Sequence, residues 1–195
     1  FNFKKICAPL LKQIKKDKYQ NIITFGIGGS YEGPKLLQEF LLNPASDINY
    51  SFVSGPDKHE FNAIVKPLLG QKNLYIFASK SLATDETLSC LKWLGKNRTE
   101  KNSIVITANS EGARALGFSE ASIIPFPESV GGRYSIWSPI SLTAGIENNF
   151  MSFLQGGGIA DSLLSGHSTD ARKYQKLIKT LAFSDIWHSN FCNKK

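Results

Sequence analysis

Four hydroxyls and one ammonium fall within nine residues: Ser79, Lys80, Ser81, Thr84 and Thr87 in the stretch "SKSLATDET". The stretch follows an apolar, strand-like run and opens onto a helix-like one. Phosphate oxygens need donors, and hydroxyls, an ammonium and the N–H groups of a helix start supply them together with a favourable dipole. Charge-assisted hydrogen bonds contribute roughly 1.5–3 kcal/mol each, so four or five hold a small anionic ligand firmly. The same residues also suit helix capping, with Ser81 or Thr84 as N-cap and Glu86 or Thr87 in the first turn. The two uses are compatible, because one hydroxyl can cap while its neighbours bind.

Two more loops carry comparable chemistry. "FGIGGSYEGP", residues 25–34, places three glycines within four positions after an apolar run, with Ser30 directly behind them. Glycine there is costly unless the backbone turns sharply or approaches something closely. The stretch lacks the G-x-G-x-x-G spacing of dinucleotide sites, since Tyr31 stands where the third glycine belongs, and it lacks the Lys-Ser/Thr of a P-loop. Either a tight strand-to-helix turn or an anion and sugar-hydroxyl cradle fits it, the latter built from backbone N–H groups and Ser30. "SVGGRYSIWSPISL" sets Arg133 behind a glycine pair. Its guanidinium can project into a cleft and stabilise developing negative charge, or it is a surface arginine at a helix start.

The elements that must position these loops alternate along the chain. Helix-like segments at 2–18, 33–43, 57–69, 84–96 and about 111–117 alternate with strand-like ones at 21–27, 48–54, 73–79, 103–109 and 121–126. Pro34 stands in the first turn of its helix, where proline is tolerated, and Pro67 disturbs the end of the third. Short apolar strands without polar alternation, interleaved with helices, call for a parallel sheet covered on both faces. The expected fold is therefore α/β: a three-layer α/β/α sandwich on a mainly parallel five-stranded sheet, with a helical C-terminal extension. An amphipathic helix over 1–20 precedes the α/β domain of 21–150. From Ser135 onward the signal is almost wholly helical, with a helical segment over 151–195, and "QGGG" at 155–158 is expected to break it. In such folds ligands lie beyond the carboxyl ends of the strands, which is where all three loops fall.

Composition narrows the function classes. The 195 residues carry a net charge of +7, much of it in lysines near the two ends. No zinc finger, basic zipper or aromatic-basic stripe accompanies them, so solvated helix faces are expected and no nucleic-acid partner. No apolar run reaches the roughly eighteen residues of a membrane span. Cys7, Cys90 and Cys192 are odd in number and widely spaced, which suits a reducing compartment and neither a disulfide frame nor a metal site. The chain begins without Met, as a fragment would.

Taken in order, G-I-G-G-S, S-K-[ST]-x-x-T-x-E-T and G-G-R-Y-S-x-W-S resemble the phosphoglucose isomerase family of sugar isomerase (SIS) domains. The last of these motifs is the most specific. "WHSNF" at 187–191 resembles the helix that follows it in the family. The likeness runs from about residue 21 to the end of the chain and covers the first of the family's two SIS halves, plus the helices that lead out of it.

The resemblance implies interconversion of aldose and ketose 6-phosphates, glucose 6-phosphate and fructose 6-phosphate, through an enediolate. It needs no cofactor and no metal. Ser79, Ser81 and Thr84 would hold the phosphate with the Lys80 backbone beside them, while Gly29 and Ser30 would meet the sugar and phosphate. Arg133 would stabilise the enediolate, and Glu86 resembles the acid that orients a ring-opening histidine. Ser81 stands where threonine is usual, and Pro139 where alanine is usual. The family's base glutamate, ring-opening histidine and C-terminal lysine lie beyond the matched region. None of His59, His167 or His188 falls at the histidine's motif; His188 reads instead as a core or interface residue. The expected setting is a cytoplasmic, homodimeric full-length enzyme, with the 195-residue chain inactive alone. The alternative is a non-catalytic SIS module that binds phosphosugars.

Overall fold

The computed structural model describes residues 3–41, 44–146 and 150–191, the side chains of Phe3, Lys4 and Arg133 excepted. Five strands form one sheet: β1 (Asn21–Gly26), β2 (Asn49–Val53), β3 (Asn73–Ala78), β4 (Ser103–Thr107) and β5 (Ile123–Pro125). Their order is β2-β1-β3-β4-β5, and every pair is parallel. The helices are α1 (Phe3–Asp17), α2 (Glu32–Leu41), α3 (Lys58–Val65), α4 (Asp85–Leu94), α5 (Ser110–Ala115) and α6 (Leu142–Gly145), followed by α7 (Phe150–Ser165) and α8 (Thr169–Phe191). The expected α/β sandwich on a parallel sheet is thus the observed one.

Side-chain alternation along the strands divides the core. Ile23 and Phe25 of β1, Tyr75 and Phe77 of β3 and Val105 of β4 face one way, against Phe61 and Val65 of α3, Cys90 and Leu94 of α4, and Ala113 of α5. The Phe25 and Phe77 rings stack 4.9 Å apart at the centre of that layer. On the opposite face the Thr24 hydroxyl meets that of Thr143 in α6 at 2.9 Å, and α6 packs on α2. Both residues are buried, so the pair satisfies two hydroxyls that would otherwise be desolvated without partners.

Two local expectations need correction. α7 runs unbroken through Gly156, Gly157 and Gly158. Glycine costs a helix about 1 kcal/mol relative to alanine but leaves helical φ and ψ open, whereas proline removes a donor and clashes. Residues after Ser135 are not α-helical at once: 3-10 turns span Gly132–Trp137 and Pro139–Ser141 before α6 begins. Pro139 explains the delay, because it supplies no N–H to a continuing helix, and Ser138 caps the new turn by accepting from the Ile140 N–H at 3.3 Å. Pro67 acts as expected, ending α3 at Val65 and leaving a 3-10 turn over Lys66–Leu68.

The chain divides into two compact units, Phe1–Phe150 and Met151–Lys195. In the second, the Gln175 side-chain amide donates to the Leu164 and Gly166 carbonyls at 2.8 and 3.0 Å, closing the end of α7. Phe183, Trp187 and Phe191 stack at i, i+4 spacing along α8. His188 lies exposed on that helix rather than in a core. No helix among the described residues is long and apolar enough to cross a membrane.

Cys7 and Cys90 are free and fully buried, and burial pushes both thiols up to about 12. A thiol raised in the folded state favours folding below its ordinary range, and that contribution is lost as pH rises toward 12. Iodoacetamide at pH 8 should therefore leave Cys7 and Cys90 unlabelled in the native protein and label both in urea, as read by peptide mass. Native labelling at the denatured rate would contradict the packing described. Cys192 lies outside the described residues.

Candidate active site

The strand order reverses between β1 and β3, since the chain leaves β1 toward β2 on one side and β3 toward β4 on the other. Such a switch point opens a crevice at the carboxyl ends of the two strands. Gly26 pairs with Ala78 across it, so the loops after the two strands start at the same height. A cavity of about 630 Å³ opens there, lined by Ile27, Ser30, Ser79, Lys80, Ser81 and Thr84, and also by Asn109 and Glu128. That volume suits a small ligand.

The first loop is a 3-10 turn over Gly28–Ser30. Gly28 has φ +54°, a left-handed conformation that side chains resist. Gly29 is needed for a different reason: a Cβ there would overlap the backbone carbonyl of Gly132. The Ser135 hydroxyl ties the two loops, bonding to the carbonyls of Gly29 at 3.0 Å and Gly132 at 2.8 Å. The glycine pairs of the first and third loops thus let two backbones touch.

In the second loop, Ser79 directly follows the buried strand β3 and Thr84 occupies the N-cap position of α4. Thr84 makes no side-chain capping bond. Its hydroxyl lies 3.2 Å from that of Ser79 and donates to that of Thr87 at 3.2 Å. Ser79 also accepts from the Leu82 N–H at 3.1 Å, and Ser81 from the Ala83 N–H at 3.3 Å. Capping by Ser81 or Thr84, one of the two sequence expectations, is therefore not what these hydroxyls do. They brace the loop, and the start of α4 carries no side-chain cap. Leu82 holds φ +51°, strained for a branched residue, with its side chain buried.

Ser30, Ser79, Lys80, Ser81 and Thr84 converge on one cavity, with Gly29 directly behind Ser30. Lys80 reaches the third loop: its Nζ lies 3.8 Å from where a Cβ of Gly131 would sit. Arg133 belongs by its backbone to the Gly132–Trp137 turn beside Gly29, and its side chain is outside the described residues. Glu86 stands apart from the main cavity. It occupies the first turn of α4 and borders a narrow gap beside Gly26, Val53 and Gly55. Asn109 and Glu128 are the wall residues absent from the sequence expectations as binding groups. The strand-end rule, applied above to the loops after β1, β3 and β5, covers the end of β4 equally, and there lay the available signal for Asn109. No group of three or more His, Cys, Asp or Glu that could hold a metal occurs among the described residues.

The contact between Gly29 and Gly132 gives a direct test. Gly29→Ala forces two backbones apart with no rotatable side chain to relieve the overlap. We expect a loss of about 1–3 kcal/mol, the usual cost of overpacking, read as a fall in Tm. An unchanged Tm would mean that the loops do not touch.

A family model described as phosphoglucose isomerase matches residues 4–195. Glucose-6-phosphate isomerase from Zymomonas mobilis is 32% identical over 180 residues, covering 87% of this chain and 35% of the relative. That from Pseudomonas fluorescens strain Pf0-1 is 32% identical over 185 residues, covering 88% of this chain and 32% of the relative. Among solved structures, a glucose-6-phosphate isomerase from Chlamydia trachomatis superposes with a TM-score of 0.71 at 21% identity, over 83% of this chain and 34% of that one, a likeness of fold. The chain spans about a third of the length of the curated relatives it matches. With a family model covering nearly all of its residues, the chain belongs to the phosphoglucose isomerase family.

Proposed function

We propose that this chain forms the phosphosugar-binding part of a hexose 6-phosphate isomerase that interconverts glucose 6-phosphate and fructose 6-phosphate through an enediolate. The observation that carries this is the convergence of Ser30, Ser79, Lys80, Ser81 and Thr84 on a single cavity at the switch point, with the Arg133 loop in contact with Gly29. Four hydroxyls, an ammonium and a helix start without a side-chain cap form a donor-rich pocket suited to a phosphate dianion. One end of the ligand is thus anchored, and the sugar carbons extend toward the third loop.

In this scheme Ser79, Ser81 and Thr84 bind the phosphate, and Gly29 and Ser30 meet the sugar and phosphate. Arg133 stabilises the negative charge that develops on the enediolate oxygens. Such an interaction strengthens only as the transition state forms, so it accelerates the reaction without tightening ground-state binding. Glu86, in the first turn of α4, orients a ring-opening histidine supplied by a partner subunit. Proton transfer between adjacent carbons requires a positioned base, typically a 10²–10⁴-fold contribution, and the family's glutamate lies beyond the matched region. A protein of the relatives' length would act as a cytoplasmic homodimer.

Calorimetry with fructose 6-phosphate tests the division of labour. Ser79→Ala combined with Thr84→Ala should weaken binding by roughly a hundredfold or more, as expected for two lost hydrogen bonds to a charged group. Arg133→Ala should weaken it far less, and equal losses would overturn the scheme. In a coupled assay, we expect the 195-residue chain alone to bind hexose 6-phosphates without measurable turnover. Turnover at enzymatic rates would instead point to Glu128, the carboxylate on the cavity wall, as the base, with Glu128→Gln abolishing it.

A further inference from the structure

We propose that Asn109 is a positioning residue that holds the phosphate-binding loop in its binding shape, an inference that rests on the phosphosugar function above. Its side chain bridges two elements. Oδ1 accepts from the Gly112 N–H at 2.8 Å, capping α5, and Nδ2 donates to the Ser81 carbonyl at 3.1 Å. The partners fix the amide's orientation, because an N–H requires the oxygen and a carbonyl requires the NH₂. The residues just before it grip the same loop. The Ala108 N–H and the Thr107 hydroxyl both donate to the Lys80 carbonyl, at 2.9 and 3.0 Å. Thr107 Oγ1 in turn accepts from the Asn109 N–H at 3.0 Å, so the bracket is one connected network.

This bracket has something to hold. One residue beyond Ser81, Leu82 sits at φ +51°, a conformation that leucine adopts only when its surroundings enforce it. From inside the loop, the Leu82 side chain is buried and its N–H donates to Ser79 Oγ. From outside, Asn109 holds the Ser81 carbonyl. Held at both points, the Ser79, Ser81 and Thr84 hydroxyls stay on the cavity wall before any ligand arrives, and ordering them does not subtract from affinity. Space is reserved for the amide: a Cβ on Gly112 would lie 2.6 Å from Asn109 Nδ2.

Asparagine and aspartate are equally good helix N-caps, so Asn109→Asp retains the capping of α5 while it deletes the donor to Ser81 and adds a negative charge. Asn109→Ser likewise keeps a capping acceptor without adding charge, and separates loss of the donor from repulsion of an anionic ligand. In the unliganded protein we expect hydrogen exchange at the Leu82 and Ala83 amides to speed up in both variants, with Tm nearly unchanged. Affinity for fructose 6-phosphate and for inorganic phosphate should fall by roughly tenfold, about the loss of one hydrogen bond. If Asn109 only caps α5, both variants will match the wild type in exchange and Asn109→Ser will match it in affinity, and the proposal is overturned. Wild type that binds neither ligand, with exchange still faster in the variants, would sink the phosphosugar function while upholding the clamp.

Discussion

The pairing of β1 with β3 is the constraint from which the site follows. Register sets Gly26 beside Ala78, and both strands are buried along their whole length. Phe25 and Phe77 stack one residue before those ends and interlock with Phe61 and Phe118. A one-residue slip would turn each of these side chains to the other face of the sheet, so the register is strongly enforced by the core. The loops carrying Ser30 and Ser79 therefore begin side by side, and neither needs to be long to share a cavity.

The third loop arrives from far along the chain and is fastened by different means. Instead of sheet hydrogen bonds it uses close backbone approach, Gly29 against Gly132, and a single hydroxyl, Ser135, bonded to both carbonyls. Behind it, α6 is anchored to β1 through Thr24 and Thr143. Polar bonds in the interior are worth more than at the surface because their alternative is desolvation without a partner. The first and third loops are consequently joined by contacts that tolerate little adjustment.

Within the second loop, rigidity has a separate origin. Its hydroxyls bond to one another and to loop amides, Ser79 with Thr84 and Leu82, Ser81 with Ala83, and β4 holds its carbonyls from outside. A loop braced in this way keeps its shape through its own bonds, and the strain at Leu82 is offset by burial of its side chain.

Much of this was determined by local sequence. Strand-like apolar runs interleaved with helices required a covered parallel sheet, because only that arrangement buries such strands on both faces. The strand-end rule then singled out the loops with Ser30, Ser79 and Arg133. Tertiary structure alone decided the rest. Whether Thr84 caps its helix or bonds to Ser79 depends on where the two ends of the loop are held, which no window of residues reveals. The same holds for Glu86, which the resemblance named for a role but could not place, whereas the turn of α4 sets it at the gap beside Gly26, Val53 and Gly55. Asn109 was invisible as a loop clamp for that reason too: its partner, Ser81, lies 28 positions earlier in the chain, and only the pairing of β3 with β4 brings them together.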